Sequence, residues 1–224
     1  MAAETGVVTT ASAPEEDEVA GRGSGRWAAG TAALSLAILL GLLLGFTSGL
    51  LAPGLFRPGD TSAEAGFARD MSSHHAQAVE MAILAHGKST NPDIQTLAAD
   101  IALTQQGQIG VMQTWLKNWG LSPTGRQPRM AWMPDGAGAL KDGLMPGMAT
   151  DAERAELRAA TGSDFDLLFL RLMLNHHLGG IHMAEGILDL SDDEQVSALA
   201  ESMVAGQKKE IELIQTLQGR INSR

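Results

Sequence analysis

Hydrophobic residues are distributed along this chain in two ways. Residues 27–52, WAAGTAALSLAILLGLLLGFTSGLLA, form an unbroken uncharged run. As a helix rising about 1.5 Å per residue, a run of this length crosses a hydrocarbon core of about 30 Å. A cleaved signal peptide usually has an apolar stretch of only about 7–15 residues. The run therefore reads as an uncleaved transmembrane helix that holds the protein in a lipid bilayer. Residues 1–26, rich in Ala, Gly, Ser, Thr and Glu, show no apolar period and read as a disordered tail, and residues 53–61 as a linker.

From residue 62 to residue 221 apolar residues recur every three or four positions, the period of helices with one buried face. The spacing predicts a first helix over about 62–85, stopping near Gly87. Asn91-Pro92-Asp93 restarts the chain with an N-cap, a proline at the first helical position and an acid against the dipole. That second helix reaches about Trp119, with Gly120 after its end. Thr150-x-x-Glu153 predicts a capping box on a short helix ending near Gly162. A third long helix follows from about Ser163 to Leu188. Ser191-x-x-Glu194 is expected to cap a fourth.

Adding 102 to a residue number in the first helical pair gives its counterpart in the second. Phe67 maps to Phe169, Met71 to Met173, His74 and His75 to His176 and His177, and Met81 to Met183. The register survives the turn, since Gln105 maps to Gln207 and Ile109 to Ile211. This is a duplicated helical hairpin: repeat 1 over about 62–119, repeat 2 over about 163–221, and a Met-, Gly- and Pro-rich connector over 120–162. Two hairpins bury each other's apolar stripes, so the expected fold is all-α, a four-helix bundle after one transmembrane helix.

Charge and composition narrow the chemistry. A net charge of −10 disfavours a nucleic-acid partner, which needs a basic face. Cysteine is absent, which excludes disulfides, thiolate metal sites and cysteine nucleophiles. Arg22 and Arg26 precede the apolar run and Arg57 follows it, a slight bias toward a cytoplasmic N-terminus and an extracytoplasmic bundle. Gly41, Gly45 and Gly49 recur every fourth residue, a spacing that would let a homodimer pack closely, although small residues are also simply common in membrane helices.

All six histidines lie on the two duplicated helices. At about 100° per residue, Met71, His74, His75, Met81 and His86 share an arc of about 140°. Met173, His176, His177 and Met183 repeat the arrangement. His182 points away from it and reads as a surface residue. Ala78, Ala82 and Gly180 leave room beside the imidazoles. Histidines hydrogen-bonded in a core with methionine filler would give the same pattern. Two His pairs brought together would, however, repel when protonated, and a shared metal ion resolves that. A di-iron centre would need Glu-x-x-His on paired helices, which is missing, and structural zinc normally recruits cysteine. Imidazole with thioether selects copper, and thioether selects Cu(I) in particular. The connector adds Met130, Met133, Met145 and Met148 as two Met-x-x-Met pairs, read as a mobile capture or transfer limb.

HHAQAVEMA and HHLGGIHMA, each preceded by Phe-x-x-x-Met, resemble the bacterial domain-of-unknown-function 305 family over about residues 61–219. The resemblance implies a ferritin-like four-helix bundle, generally exported, with some members implicated in copper binding and resistance. It gives Met71, His74, His75, Met81, Met173, His176, His177 and Met183 the role of metal ligands, with His86, His182 and the connector methionines as secondary candidates. The family's usual proline before each histidine pair is Ser73 in one copy and Asn175 in the other.

The expected function is therefore a single-pass protein of the bacterial cell membrane that binds Cu(I) outside the cytoplasm, for sequestration, tolerance or delivery to a copper-handling protein. The competing reading is a non-catalytic helical interaction module, or an accessory subunit of a membrane complex, with structural histidines. An enzyme is not expected, because no acid–base carboxylate pair or cofactor fingerprint accompanies the histidines.

Overall fold

The structure, a computed structural model, describes residues 24–55 and 57–223. The disordered reading of the tail falls, for residues 1–23, outside the described residues. Two units are resolved, one ending at Phe56 and one beginning at Arg57.

The first unit contains α1 (Ser24–Leu55), a single helix whose Gly30–Thr47 window has a mean hydropathy of 2.0. It has the length and composition to cross a membrane, as an export signal also would. The helix continues to Leu55, into the stretch read from sequence as linker.

The second unit is built from four long helices: α2 (Ala63–Lys88), α3 (Pro92–Trp119), α6 (Gly162–Leu188) and α7 (Glu194–Asn222). Two short ones, α4 (Gly136–Ala139) and α5 (Asp151–Ala159), lie in the connector. No strand occurs among the described residues. Most helix ends follow the sequence signals. Asn91 caps α3 through Asp93 N–H, Gly120 closes it in the left-handed conformation, and Thr150 and Glu153 form the reciprocal capping box of α5. Glycine suits the Gly120 position, where φ is 76°. α7 departs from expectation. Its N-cap is Asp193, whose carboxylate accepts from Gln195 and Val196 N–H, while the Ser191 hydroxyl donates to Glu64. An ionised carboxylate is the stronger acceptor for two amides at the positive end of a helix.

α2 packs on α3 and on α6, and α6 on α7. The Glu64–Ser191 bond joins the start of α2 to the residues just beyond α6, so these two helices run antiparallel. Two apolar cores result. One contains Ala78, Met81, Ile94, Ile101, Phe165, Phe169 and Met173. The other contains Phe67, Met71, Met112, Trp115, Met130, Met145, Met183 and Met203. The duplicated histidines lie on the helix segments between them.

Candidate metal centre

The antiparallel pairing of α2 and α6 explains the spacing of the Met and His positions. Met71 joins Met183 in one core, and Met81 joins Met173 in the other. Between them the two halves meet at the rings of His74 and His176, whose centroids lie 3.8 Å apart at a tilt of 37°. The layers are therefore methionine, histidine, methionine, related by the internal repeat. All eight side chains are buried.

Each imidazole commits one nitrogen to a protein acceptor. His74 Nε2–H donates to the Pro146 carbonyl at 2.9 Å, and His176 Nε2–H to the His74 carbonyl at 3.0 Å. His75 Nε2–H donates to Gln108 Oε1 at 2.7 Å, and His177 Nε2–H to Glu210 Oε2 at 2.5 Å. Gln108 and Glu210 are themselves repeat partners, each 33 residues after its histidine. The duplication thus preserves the position of the acceptor while changing an amide into a carboxylate. The opposite nitrogens, Nδ1 of His74, His75 and His177, are buried without a hydrogen-bond partner. A ring held by one N–H with its other nitrogen unpartnered is the usual posture of a metal-ligating histidine. Carboxylate and carbonyl acceptors also raise the basicity of the ligating nitrogen.

Burial holds His74, His75 and His176 neutral. Desolvation lowers the His74 pKa to about 4, against a smaller upward pull from the Pro146 hydrogen bond. His75 falls to about 3, again through burial and then through the neighbouring His74. His176 is pushed well below the ordinary histidine range by burial, reinforced by the other three rings. Neutral imidazole is the form that binds metal. Among the described residues, no group of three or more His, Asp or Glu side chains is gathered to hold an ion. The flanking methionine layers place thioether sulfur as a second donor type on the same two helices as the imidazoles.

The connector closes one side of the histidine layer, and it is not the mobile limb expected from its composition. Asp70 accepts from Met130 N–H at 2.7 Å and from Trp132 Nε1–H at 3.0 Å. Burial raises the Asp70 carboxyl above its ordinary range, and these two bonds pull it back down. Trp132 meets Phe67 edge-on, with ring centroids 5.7 Å apart. Gln77 pins Ala149 through both its N–H and its carbonyl, at 2.7 and 3.0 Å. The Met145–Met148 turn lies directly on α6. A Cβ on Gly179 would stand 1.9 Å from the Pro146 oxygen, and one on Gly147 would stand 2.1 Å from the Asn175 oxygen. Met130, Met133 and Met145 are buried in the methionine-rich core, with Met148 packed partly buried against it. Burying thioether outweighs leaving it in water, so the methionines draw the loop inward.

The remaining histidines lie elsewhere. His86 is exposed, roughly 17 Å along α2 from His75 at 1.5 Å per residue, and donates through Nδ1 to Gln95 O at the α2–α3 turn. His182 is exposed, as its wheel angle predicts, and lines an open cavity of about 710 Å³ beside Met145 and Met148. Gly180 makes room for Gln207 rather than for an imidazole, since an added Cβ would come within 2.6 Å of Gln207 Oε1. The sequence reading missed Met112 and Met203, which have no methionine at the repeat-related position, and the acceptors Gln108 and Glu210, which the 102-residue offset could have identified.

No curated protein matches this chain. Several solved structures do. A DUF305 protein of Streptomyces coelicolor, described as secreted, is 41% identical over 73% of this chain and 96% of its own, with a TM-score of 0.67. A DUF305 fragment from Deinococcus radiodurans is 33% identical over 70% of this chain and 96% of its own, with a TM-score of 0.59. CopM in its Cu(I)-bound form is 24% identical over 71% of this chain and 96% of its own, with a TM-score of 0.55, a likeness of fold; it is also known in Cu(II)- and silver-bound forms. The pattern of the domain of unknown function DUF305 matches residues 64–218, the whole bundle with its paired histidines, and the chain belongs to that family.

Proposed function

We propose that this protein is a membrane-anchored, extracytoplasmic copper-binding protein that holds Cu(I) in His/Met sites, without catalysing a reaction, for sequestration, tolerance or delivery to another copper-handling protein. The observation that carries the reading is the histidine layer: buried imidazoles fixed through Nε2, with Nδ1 of His74, His75 and His177 unpartnered between two methionine layers. Leaving a buried polar atom unpaired costs about 1–3 kcal/mol, so a fold that only needed histidine as filler would not keep three. Donors of imidazole and thioether suit a soft ion of low coordination number. The copper- and silver-bound forms of CopM, a protein of the same fold, support the same choice. The length and apolarity of α1 support anchoring.

The competing reading, an interaction module with structural histidines, accounts for the Nε2 bonds but not for the Nδ1 atoms. Competition against a Cu(I) chelator under reducing conditions, beside a zinc titration, separates the two. Replacing His74 and His75 with Ala should lower copper affinity while helicity stays nearly unchanged. Replacing Met71 and Met81 with Leu should cost Cu(I) far more than Zn(II). Equal losses for the two metals would make the methionines packing residues and the copper assignment wrong.

A further inference from the structure

On the side of the bundle away from the connector, α3 and α7 border a small cavity of about 100 Å³, most of whose lining residues carry polar side chains. Two repeat-related glutamines, Gln105 and Gln207, line it while only 2% and 4% exposed. Both side-chain atoms of Gln105, and Oε1 of Gln207, have no hydrogen-bond partner. The neighbouring inward positions are apolar on both helices, Ile101 and Ile109 on α3 and Met203 and Ile214 on α7. Packing alone would favour leucine at 105 and 207, because an unpaired carboxamide in a core is costly. The glutamines therefore answer to something polar that comes between the helices.

Gln108 and Glu210 line the same cavity, and these are the residues that hold the His75 and His177 rings. One side chain thus separates the cavity from the histidine layer. On the opposite side the connector lies against the layer: His74 is bonded to Pro146, and a Cβ on Gly179 would stand 1.9 Å from the Pro146 oxygen. We propose that the α3–α7 cavity is the port through which a metal cation reaches the histidines, a step that rests on the copper-binding reading. The carboxamide oxygens of Gln105 and Gln207 replace water around the arriving ion. The Glu210 carboxylate supplies charge and the buried Met203 sulfur a soft donor. A rotamer change at Gln108 or Glu210 then opens the way to the rings.

A port governs rates and leaves equilibrium affinity alone, and that is the basis of the test. The full-length chain in mild detergent is mixed anaerobically with Cu(I) supplied as its acetonitrile complex, and uptake and release are followed by quenching with a chromogenic chelator. Gly206, at the rim, has nothing within 4 Å of an added Cβ, so Gly206→Leu can fold and then obstruct the cavity. Thr104→Leu obstructs it from α3, and circular dichroism verifies that both variants fold. Each should slow uptake and release by the same factor, tenfold or more, with Kd within twofold of the parent. Asn175→Leu, in the connector cavity, should leave both rates unchanged. Wild-type rates in the obstructed variants at unchanged Kd, or slowing by Asn175→Leu instead, would reject the port alone. Absence of Cu(I) uptake by the unmodified protein would reject the copper reading and the port with it.

Discussion

Acidifying the metal-free protein should weaken its fold well before carboxylates titrate. In the unfolded chain His74 and His75 take up a proton near pH 6.5, whereas in the bundle they stay neutral down to about 4 and about 3. Between those values the unfolded state binds more protons, so stability falls as pH falls and is fully present only above about pH 6.5. At about 1.4 kcal/mol per pH unit, each ring loses about 2 kcal/mol between pH 7 and pH 5. The pair loses about 4 kcal/mol, a large part of a typical domain stability of about 5–15 kcal/mol. The assay is urea unfolding of the full-length chain in mild detergent with a chelator present. Tryptophan fluorescence reports the bundle through Trp115, Trp119 and Trp132. Repeating it with His74→Gln and His75→Gln together should reduce the pH dependence by about the 4 kcal/mol assigned to the pair, leaving the part due to His176, whatever the variant's stability at pH 7. A parent protein equally stable at pH 7 and pH 5, or more stable at pH 5, would show that these rings are not held neutral and would refute the reasoning.

Three further outcomes follow from packing and topology. Gly179→Ala drives a Cβ to 1.9 Å from the Pro146 oxygen, so it should cost about 1–3 kcal/mol in urea unfolding and loosen proteolytic protection of the connector. Gln77→Leu leaves both backbone groups of Ala149 unpaired in a buried setting, so it should destabilise by about 2–4 kcal/mol in the same measurement. Full-length protein should fractionate with membranes at its full mass, whereas a mature N-terminus near Ala63–Gly66 would show that α1 is a cleaved signal.

The parts of this fold that repeat, or that close on their own neighbours, were legible in the sequence. Caps at Asn91, Gly120 and Thr150 act within a few residues, and the 102-residue offset brings His74 to His176 once the hairpins are stacked. The connector was not legible, because its anchors are made once and across long separations. Nothing near Pro146 announces that its carbonyl will accept from His74, and nothing near Asp70 announces that Met130, at φ 63°, will be held by its carboxylate. The swap of Ser191 for Asp193 as the α7 cap has a similar cause, since Ser191 is drawn to Glu64 across the bundle. Met112 and Met203 escaped notice because the repeat places isoleucine opposite each, at Ile214 and Ile101.

The central claim is that neutral imidazoles and thioethers hold the same Cu(I) ion in the layer between α2 and α6. X-ray absorption at the copper edge of the Cu(I)-loaded full-length protein tests it most directly. The account predicts a low-coordinate Cu(I) with both nitrogen and sulfur neighbours, the nitrogen contribution falling in His74→Ala, His75→Ala protein and the sulfur contribution falling in Met71→Leu, Met81→Leu protein. A first shell of nitrogen and oxygen alone, or a spectrum that neither pair of substitutions alters, would contradict it.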